Sequence, residues 1–368
     1  MTDLPPLFTP FALGSVTFRN RIVLAPMCQY HAEEGVPTDW HMAHHGRYAT
    51  SGLGGAISEA TGVTPEGRIS PGCTGIYTDA QAVAWRRVTA LYRREGIPCL
   101  MQINHAGPKA STMRPWDGAG PLAPASDEPP WQTVSASALP AREGWHIPRP
   151  LEADEMPGIA EAFAMAAKRA LDAGFDGVEI HGAHGYLLHS FMSPYSNRRN
   201  DGYGGDLAGR MRLPVEVARA VRAAVPRGTP VLYRASCVDS EGGGLTLEDT
   251  VALSAALRDV GVDLIDCSGG GIPVGARLSV HKPEHGFQVP YAERIGAETG
   301  LPTMTVGMIT EPILANAIIA EGRADLVCLA RQFLREPHWP YRAAQELGLP
   351  DPASILPRLY SHYLRATA

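Results

Sequence analysis

Several features that mark other protein classes are missing from this sequence. Its six cysteines lie far apart without a Cys-x-x-Cys pair, which argues against a disulfide framework and against a zinc or iron–sulfur site. There is no run of basic residues and the formal net charge is −6, so neither nucleic acid nor an anionic membrane is an expected partner. No apolar run approaches the roughly 18 residues of a spanning helix, and the N-terminal segment does not resemble a secretion signal. We therefore expect a cytoplasmic protein.

Motifs of three familiar catalytic classes are missing as well. No G-x-G-x-x-G follows the first apolar run, as a dinucleotide-binding sheet would require, and no G-x-S-x-G marks a serine nucleophile. The lysines Lys109, Lys168 and Lys282 lie in expected loops or helices, which argues against Schiff-base catalysis from a strand end.

What the sequence does contain is a regular alternation of short apolar runs and longer amphipathic runs. Several amphipathic runs end on a glycine, and Thr246 precedes two acidic residues at the start of another, as helix caps do. Most apolar runs do not alternate with polar residues, which is typical of parallel strands covered on both faces. Eight such runs predict a (β/α)₈ barrel, with an open doubly wound sheet as the alternative. The runs are residues 21–26, 55–60, 98–104, 177–181, 230–235, 263–268, 302–307 and 325–330.

We expect one domain over residues 1–368, an α/β fold of the TIM-barrel type with an N-terminal β-hairpin cap and long βα loops. Residues 108–150 and 269–288 interrupt the alternation after strand ends. Loops of this length in a compact domain are usually functional, and in a barrel they would cover the catalytic face.

Residues at the ends of the predicted strands would line one mouth of the barrel, and they are unusually polar. Few carboxylates accompany His181 and His184, so no metal site is predicted. Neutral donors, two arginines and glycine-rich turns suit a planar ring with a phosphate near Gly307 and Arg331. The alternative for Arg234 and Arg331 is a structural ion pair. These strand-end residues are Cys28, Tyr30, Glu59, Ala60, Gln102, Asn104, His105, His181, His184, Tyr186, Arg234, Ser268, Gly269, Gly307 and Arg331.

Five motifs closely resemble the Old Yellow Enzyme family, the FMN-dependent ene-reductases built on a (β/α)₈ barrel. The likeness runs in order along nearly the whole chain. Cys28 lies two residues before Tyr30, and with the two histidines of HGAH this is similar to the branch that contains the xenobiotic reductases. The motifs are NRIVLAPMCQY (20–30), ISEATGVTPEGRIS (57–70), QINHAG (102–107), EIHGAHGYLLHSFMSPYSNRRNDGYGG (179–205) and LAR (329–331).

The resemblance implies a role for each matching residue. Cys28 would lie near the reactive edge of the flavin and tune its reduction potential. His181 and His184 would donate hydrogen bonds to the carbonyl oxygen of the substrate, Tyr186 would supply a proton, and Tyr30 would orient the substrate. Two fixed N–H donors would stabilise the enolate oxygen as an oxyanion hole does. FMN would be contacted by Ala25, Pro26, Met27, Cys28, Ala60, Gln102, Arg234, Gly307, Ala330 and Arg331.

The activity that the resemblance implies is that of an NADPH dehydrogenase or ene-reductase, which reduces the C=C bond of α,β-unsaturated carbonyl compounds with NADPH as hydride donor. A homodimer or homotetramer is expected. The tail at about 338–368, with Tyr363 and Arg365, resembles the segment that reaches a neighbouring subunit's site in this branch, and the alternative is a terminus that docks on its own chain or frays. Pro108 stands where the family more often has arginine. Two alternatives stay open: a flavin protein that senses redox state or binds ligands through Cys28, and a flavin dehydrogenase that works in the oxidative direction.

Overall fold

The computed structural model describes residues 4–124, 128–240, 242–272 and 284–365. Within these residues, eight parallel strands close into a barrel in the order in which they follow one another along the chain. Lys282 and much of the predicted loop at 269–288 lie outside the described residues. The strands are β1 (Phe11–Leu13), β2 (Val16–Phe18), β3 (Ile22–Leu24), β4 (Gly55–Gly62), β5 (Cys99–Asn104), β6 (Val134–Ser135), β7 (Arg149–Pro150), β8 (Gly177–Gly182), β9 (Val231–Ser236), β10 (Leu264–Ser268), β11 (Thr303–Thr305) and β12 (Leu326–Leu329).

The barrel consists of β3, β4, β5, β8, β9, β10, β11 and β12, and β12 pairs back onto β3. Each predicted apolar run coincides with one of these strands to within two residues at either end, so the predicted fold is confirmed. Every residue of these strands is buried, because helices cover the outer face and the opposite strands cover the inner face.

Helices surround the barrel in the connections between its strands. Their local chemistry follows the sequence signals: Thr246 Oγ1 accepts from the Asp249 N–H at 3.2 Å at one helix start, and Gly96 and Gly174 have φ of +65° and +90° just past two helix ends. In the described residues the helices are α1 (Asp39–Ala49), α2 (Asp79–Arg94), α3 (Met156–Asp172), α4 (Leu187–Met192), α5 (Leu207–Ala224), α6 (Leu247–Asp259), α7 (Val289–Thr299), α8 (Pro312–Ala320), α9 (Arg331–Arg335), α10 (Trp339–Glu346) and α11 (Arg358–Arg365).

The interior of the barrel has an apolar layer at the end where the strands begin. Leu100, Leu232 and Leu264 belong to one buried cluster, which Leu13 and Phe18 of the β1–β2 hairpin join, so the predicted hairpin cap is confirmed. Because side chains two residues apart share a strand face, the next interior layer begins two residues further along each strand. That layer is polar, and it forms the floor of the site described below.

Among the described residues, no helix has the length and apolar character needed to cross a membrane.

Candidate active site

The floor of the site is a layer of four polar side chains inside the barrel. Gln102 on β5 is paired in register with Glu179 on β8, and its Nε2 donates to Glu179 Oε1 at 2.7 Å. Arg234 on β9 is paired in register with Asp266 on β10, and its Nε lies 3.1 Å from Asp266 Oδ2. All four residues are buried. Arg234 therefore does form the structural ion pair considered as an alternative, and it does so at the position predicted for a flavin contact.

The charges of this floor do not balance unless one carboxyl group keeps a proton. Burial raises the pKa of Glu179 well above its usual value, and the nearby Asp266 charge raises it further. The pKa of Asp266 is also raised by burial, against the opposing effect of its Arg234 partner. We assign the proton to Glu179 and the negative charge to Asp266, because Asp266 is the group that pairs with the guanidinium. Sequence reasoning missed both carboxyl groups, although Glu179 lies two residues before His181 and so shares its strand face.

The two predicted histidines and the predicted tyrosine meet at the mouth above this floor. The His181 and His184 ring centroids are 5.2 Å apart, and the His181 and Tyr186 centroids are 4.9 Å apart. The backbone N–H of Ala183 donates to His181 Nδ1 at 3.2 Å, so the proton of the neutral imidazole lies on Nε2. His184 Nε2 lies 2.7 Å from Ser268 Oγ.

The protonation states of these three rings follow from their surroundings. Burial lowers the pKa of His181 and of His184 well below the usual value, and the charge of Arg234 lowers both further. Both imidazoles are therefore neutral at pH 7, each with one N–H to donate. Burial raises the pKa of Tyr186 well above its usual value, so the phenol keeps its proton.

Lys109 and a glycine turn hold His184 in an unusual backbone conformation. His184 has φ of +60°, a region that non-glycine residues seldom adopt. Lys109 Nζ donates to the carbonyl oxygens of His184 and Gly271, the latter at 3.1 Å. A Cβ on Gly271 would lie 2.3 Å from the carbonyl carbon of His184, so no other residue fits there without a shift. Sequence analysis assigned no role to Lys109, because its two acceptors follow the distant strands β8 and β10.

The loop that carries Cys28 and Tyr30 is anchored by the buried side chain of Glu59. The Gln29 N–H donates to Glu59 Oε2 at 3.1 Å, while Glu59 Oε1 lies 3.1 Å from His41 Nε2. Tyr30 has φ of +53°, in the left-handed region that non-glycine residues seldom adopt. Burial raises the pKa of Cys28 well above its usual value, so this residue is a neutral thiol at pH 7.

The residues predicted to hold FMN fit such a group. A cavity of about 300 Å³ lies at the ends of β10, β11 and β12, where a barrel commonly binds phosphate. Gly307, with φ of +122°, Ala330 and Arg331 line it. Ala25 and Ala60 are small and buried, which leaves room beside the polar floor for a flat ring.

Among the described residues, no cluster of three histidine, cysteine or acidic side chains could hold a metal ion.

The strand-end residue His105 does not join the site. His105 was expected at the mouth, but it lines a separate cavity with Thr64 and Glu66. The reason is strand alternation, since Gln102 and Asn104 share one face of the chain and His105 belongs to the other. Its Nδ1 accepts from the Gly107 N–H at 3.1 Å, and burial lowers its pKa to about 4.

Comparison with known proteins adds independent findings. Residues 6–350 match the NADH:flavin oxidoreductase / NADH oxidase family. An NADPH dehydrogenase from Geobacillus sp. (strain WCH70) is 40% identical over 351 residues, covering 95% of this chain and 96% of the relative. The solved structure of morphinone reductase in complex with tetrahydroNAD has a TM-score of 0.76 at 28% identity, covering 98% of this chain and 97% of its own. The old yellow enzyme from Trypanosoma cruzi has a TM-score of 0.77 at 26% identity, covering 93% and 92%.

Proposed function

Because the chain belongs to the NADH:flavin oxidoreductase / NADH oxidase family, we propose that it is an FMN-dependent NADPH:alkene oxidoreductase. Family membership confirms the predicted enzyme class and the predicted cofactors, FMN and a reduced nicotinamide nucleotide. The substrates that we propose are α,β-unsaturated carbonyl compounds and related activated alkenes, whose C=C bond is reduced.

The observation that carries this proposal is the hydrogen bond from the Ala183 N–H to His181 Nδ1, which leaves the ring proton of the neutral imidazole on Nε2. Addition of hydride to the β-carbon of an enone pushes negative charge onto the carbonyl oxygen, and N–H donors fixed in place stabilise that charge. His181 Nε2 is such a donor because the Ala183 N–H occupies the other ring nitrogen. His184 supplies the second donor through Nδ1 if Ser268 Oγ donates to its Nε2, a geometry that the 2.7 Å contact allows.

Tyr186 is proposed as the general acid that protonates the α-carbon. Its phenol keeps its proton at neutral pH and lies beside His181, so it adjoins the carbonyl-binding donors. A positioned general acid contributes typically about 10²–10⁴-fold to the rate. Tyr30, which lines the same mouth cavity as Tyr186, is proposed to orient the substrate.

FMN, when bound, supplies the hydride chemistry. Gly307, Ala330 and Arg331 are proposed to hold its phosphate, while Gln102 and Arg234 would contact its polar edge. Cys28, as a neutral thiol, would tune its reduction potential. Ala25, Pro26, Met27 and Ala60 would line the ring. NADPH oxidation and alkene reduction would alternate at this one site.

Steady-state turnover of two histidine variants tests the proposal. His181→Ala and His184→Ala are each expected to slow cyclohexenone-dependent oxidation of NADPH by about 10²–10³-fold, because each removes one donor to the developing oxyanion. The exposed His338 serves as a matched control, and His338→Ala is expected to keep full activity. Flavin absorbance should be unchanged in all three variants. Turnover at the rate of the parent protein by His181→Ala, with flavin bound, would contradict the proposal.

The C-terminal helix supports the proposed homodimer or homotetramer. In α11, Leu359 is 75% exposed and Tyr363 is 71% exposed, an unusual amount of apolar surface for two neighbouring turns. Arg365 pairs with Asp351 of its own chain, which fixes the helix against the preceding segment. Light scattering on a chain shortened to residue 357 is expected to show a smaller assembly than the full chain. An unchanged assembly would contradict this role of the tail.

A single domain over residues 1–368 and a cytoplasmic location stay predictions from the sequence. The rival function, a redox sensor acting through Cys28, requires bound flavin that NADPH reduces but no alkene reoxidises.

A further inference from the structure

We propose that the mouth of the active site contains an anion subsite, formed by Lys109 and Arg142, that binds a carboxylate or phosphate group of the molecule lying over the flavin. The inference rests on the proposed function and adds a substrate class to it. A cavity of about 190 Å³ opens beside the catalytic rings, and Tyr30, Tyr186 and Trp145 line it together with these two cations.

Lys109 brings a positive charge to the catalytic tyrosine. Its Nζ lies 5.7 Å from the centroid of the Tyr186 ring. Its hydrogen-bond acceptors are the carbonyl oxygens of His184 and Gly271, which are neutral and leave the ammonium charge uncompensated. Within the described ranges, no carboxylate lies at ion-pair distance from Lys109.

Arg142 brings the second charge to the same cavity. Its guanidinium lies 5.5 Å from the centroid of the Trp145 ring, and its carbonyl oxygen accepts from the Trp145 N–H at 3.1 Å. Other arginines of the 108–150 segment are neutralised: Arg114 lies 2.8 Å from Glu128, and Arg149 lies 2.7 Å from Glu155. Arg142 has no such partner among the residues that the structure describes, so this segment presents one uncompensated guanidinium at the mouth.

The electrostatics favour an anion between the two cations. Burial, followed by the charge of Arg142, lowers the pKa of Lys109 to about 8, as expected for cations held close together without a carboxylate. An anionic ligand would relieve this repulsion. A lysine offers a point charge and an arginine offers paired N–H donors, a combination that suits both carboxylate and phosphate oxygens. The apolar rings of the cavity would receive the body of the same molecule.

Two ligands could bring the anion: the nicotinamide nucleotide through its phosphates, or an alkene substrate through a carboxylate. Anaerobic stopped-flow measurement of the two half-reactions separates them. The reductive arm follows loss of the flavin band at increasing NADPH. The oxidative arm starts from dithionite-reduced protein and follows return of the band with monomethyl fumarate, which is anionic, or dimethyl fumarate, which is neutral.

The variant to compare is Arg142→Gln, with Arg219→Gln as the matched control, because Arg219 is an exposed arginine of α5 that loses the same charge. We expect Arg142→Gln to raise the half-saturating concentration at least tenfold for NADPH or for monomethyl fumarate, whichever supplies the anion, with dimethyl fumarate unaffected. Charge reversal in Arg142→Glu should raise it further. A rise in the reductive arm assigns the subsite to the nucleotide, and a rise in the oxidative arm assigns it to the alkene.

Equal half-saturating concentrations for Arg142→Gln and Arg219→Gln in both arms would overturn the subsite while leaving the proposed function intact. By contrast, failure of both fumarate esters and of cyclohexenone to restore the flavin band in the parent protein would overturn the proposed function. The reductive arm would still report on the subsite in that case.

Discussion

Replacing Asp266 by asparagine tests the charge assignment on the floor of the barrel. The pair that it breaks is fully inside the protein, with Arg234 Nε 3.1 Å from Asp266 Oδ2. Breaking a buried ion pair by removing one partner typically costs about 3–5 kcal/mol, because an uncompensated charge stays behind. We therefore expect Asp266→Asn to lower the free energy of unfolding of the FMN-free protein by that amount.

Glu179→Gln is the matched control for this change. If Glu179 is the neutral acid of the pair, an amide replaces a carboxylic acid of the same shape and charge, and its oxygen still accepts from Gln102 Nε2. The cost should then be about 1 kcal/mol, the net worth of an ordinary hydrogen bond. Urea denaturation followed by tryptophan fluorescence measures both variants. Equal losses for the two variants, or a larger loss for Glu179→Gln, would refute the assignment.

We also expect the two variants to differ in the midpoint potential of FMN in the FMN-loaded protein. Asp266→Asn leaves the Arg234 charge without its counter-ion, so the negative charge that accompanies FMN reduction becomes easier to accommodate. The midpoint potential should become more positive by about 30 mV for each tenfold gain in the reduction equilibrium. Glu179→Gln should leave the potential nearly unchanged. A dye-equilibration titration at one fixed pH measures both.

Three further predictions concern single side chains. Tyr186→Phe should keep the NADPH half-reaction but slow alkene reduction by about 10²–10⁴-fold in stopped flow, since it removes only the proton donor; equal slowing of both halves would count against this role. Burial lowers the pKa of His44 to about 4, so its contribution to stability is present above pH 6.5 and is lost as pH falls towards 4; the urea midpoint should drop over this range, and less steeply in His44→Gln. Because burial keeps Cys28 a neutral thiol, it should resist iodoacetamide at pH 8 in the native protein, and rapid labelling detected by mass spectrometry would contradict that state.

Much of the fold follows from the sequence because a parallel barrel repeats one signal. Each strand is a short apolar run between helix-forming runs, so eight independent signals agree, and errors at strand ends do not disturb the order. The mouth residues could be named for the same reason, since residues that follow parallel strands meet at one end. His181, His184 and Tyr186 lie within six residues of one another. Predicting that they are close in space therefore required the position of only one strand end, that of β8.

The residues that sequence reasoning missed depend on contacts between distant parts of the chain. Asp266 gains its role from Arg234 on the next strand, and Lys109 gains its role from carbonyl oxygens on two other loops. Nothing local in either segment signals these partners. His105 shows the converse error: the sequence placed it at the mouth because it follows a strand end, but the alternation of side chains turns it to the other face of the chain. The positive φ of His184 likewise depends on the close approach of Gly271, a long-range contact that residue propensities for secondary structure do not predict.

The measurement that tests the proposed function most directly is the visible spectrum of the purified protein under anaerobic conditions, first with NADPH and then with cyclohexenone. We predict a flavin band that disappears on addition of NADPH and returns on addition of the enone, which would establish both half-reactions in one sample. A band that disappears and does not return with any activated alkene would contradict the proposed alkene reduction. If no flavin band appears even after FMN is added, the cofactor assignment itself would be contradicted.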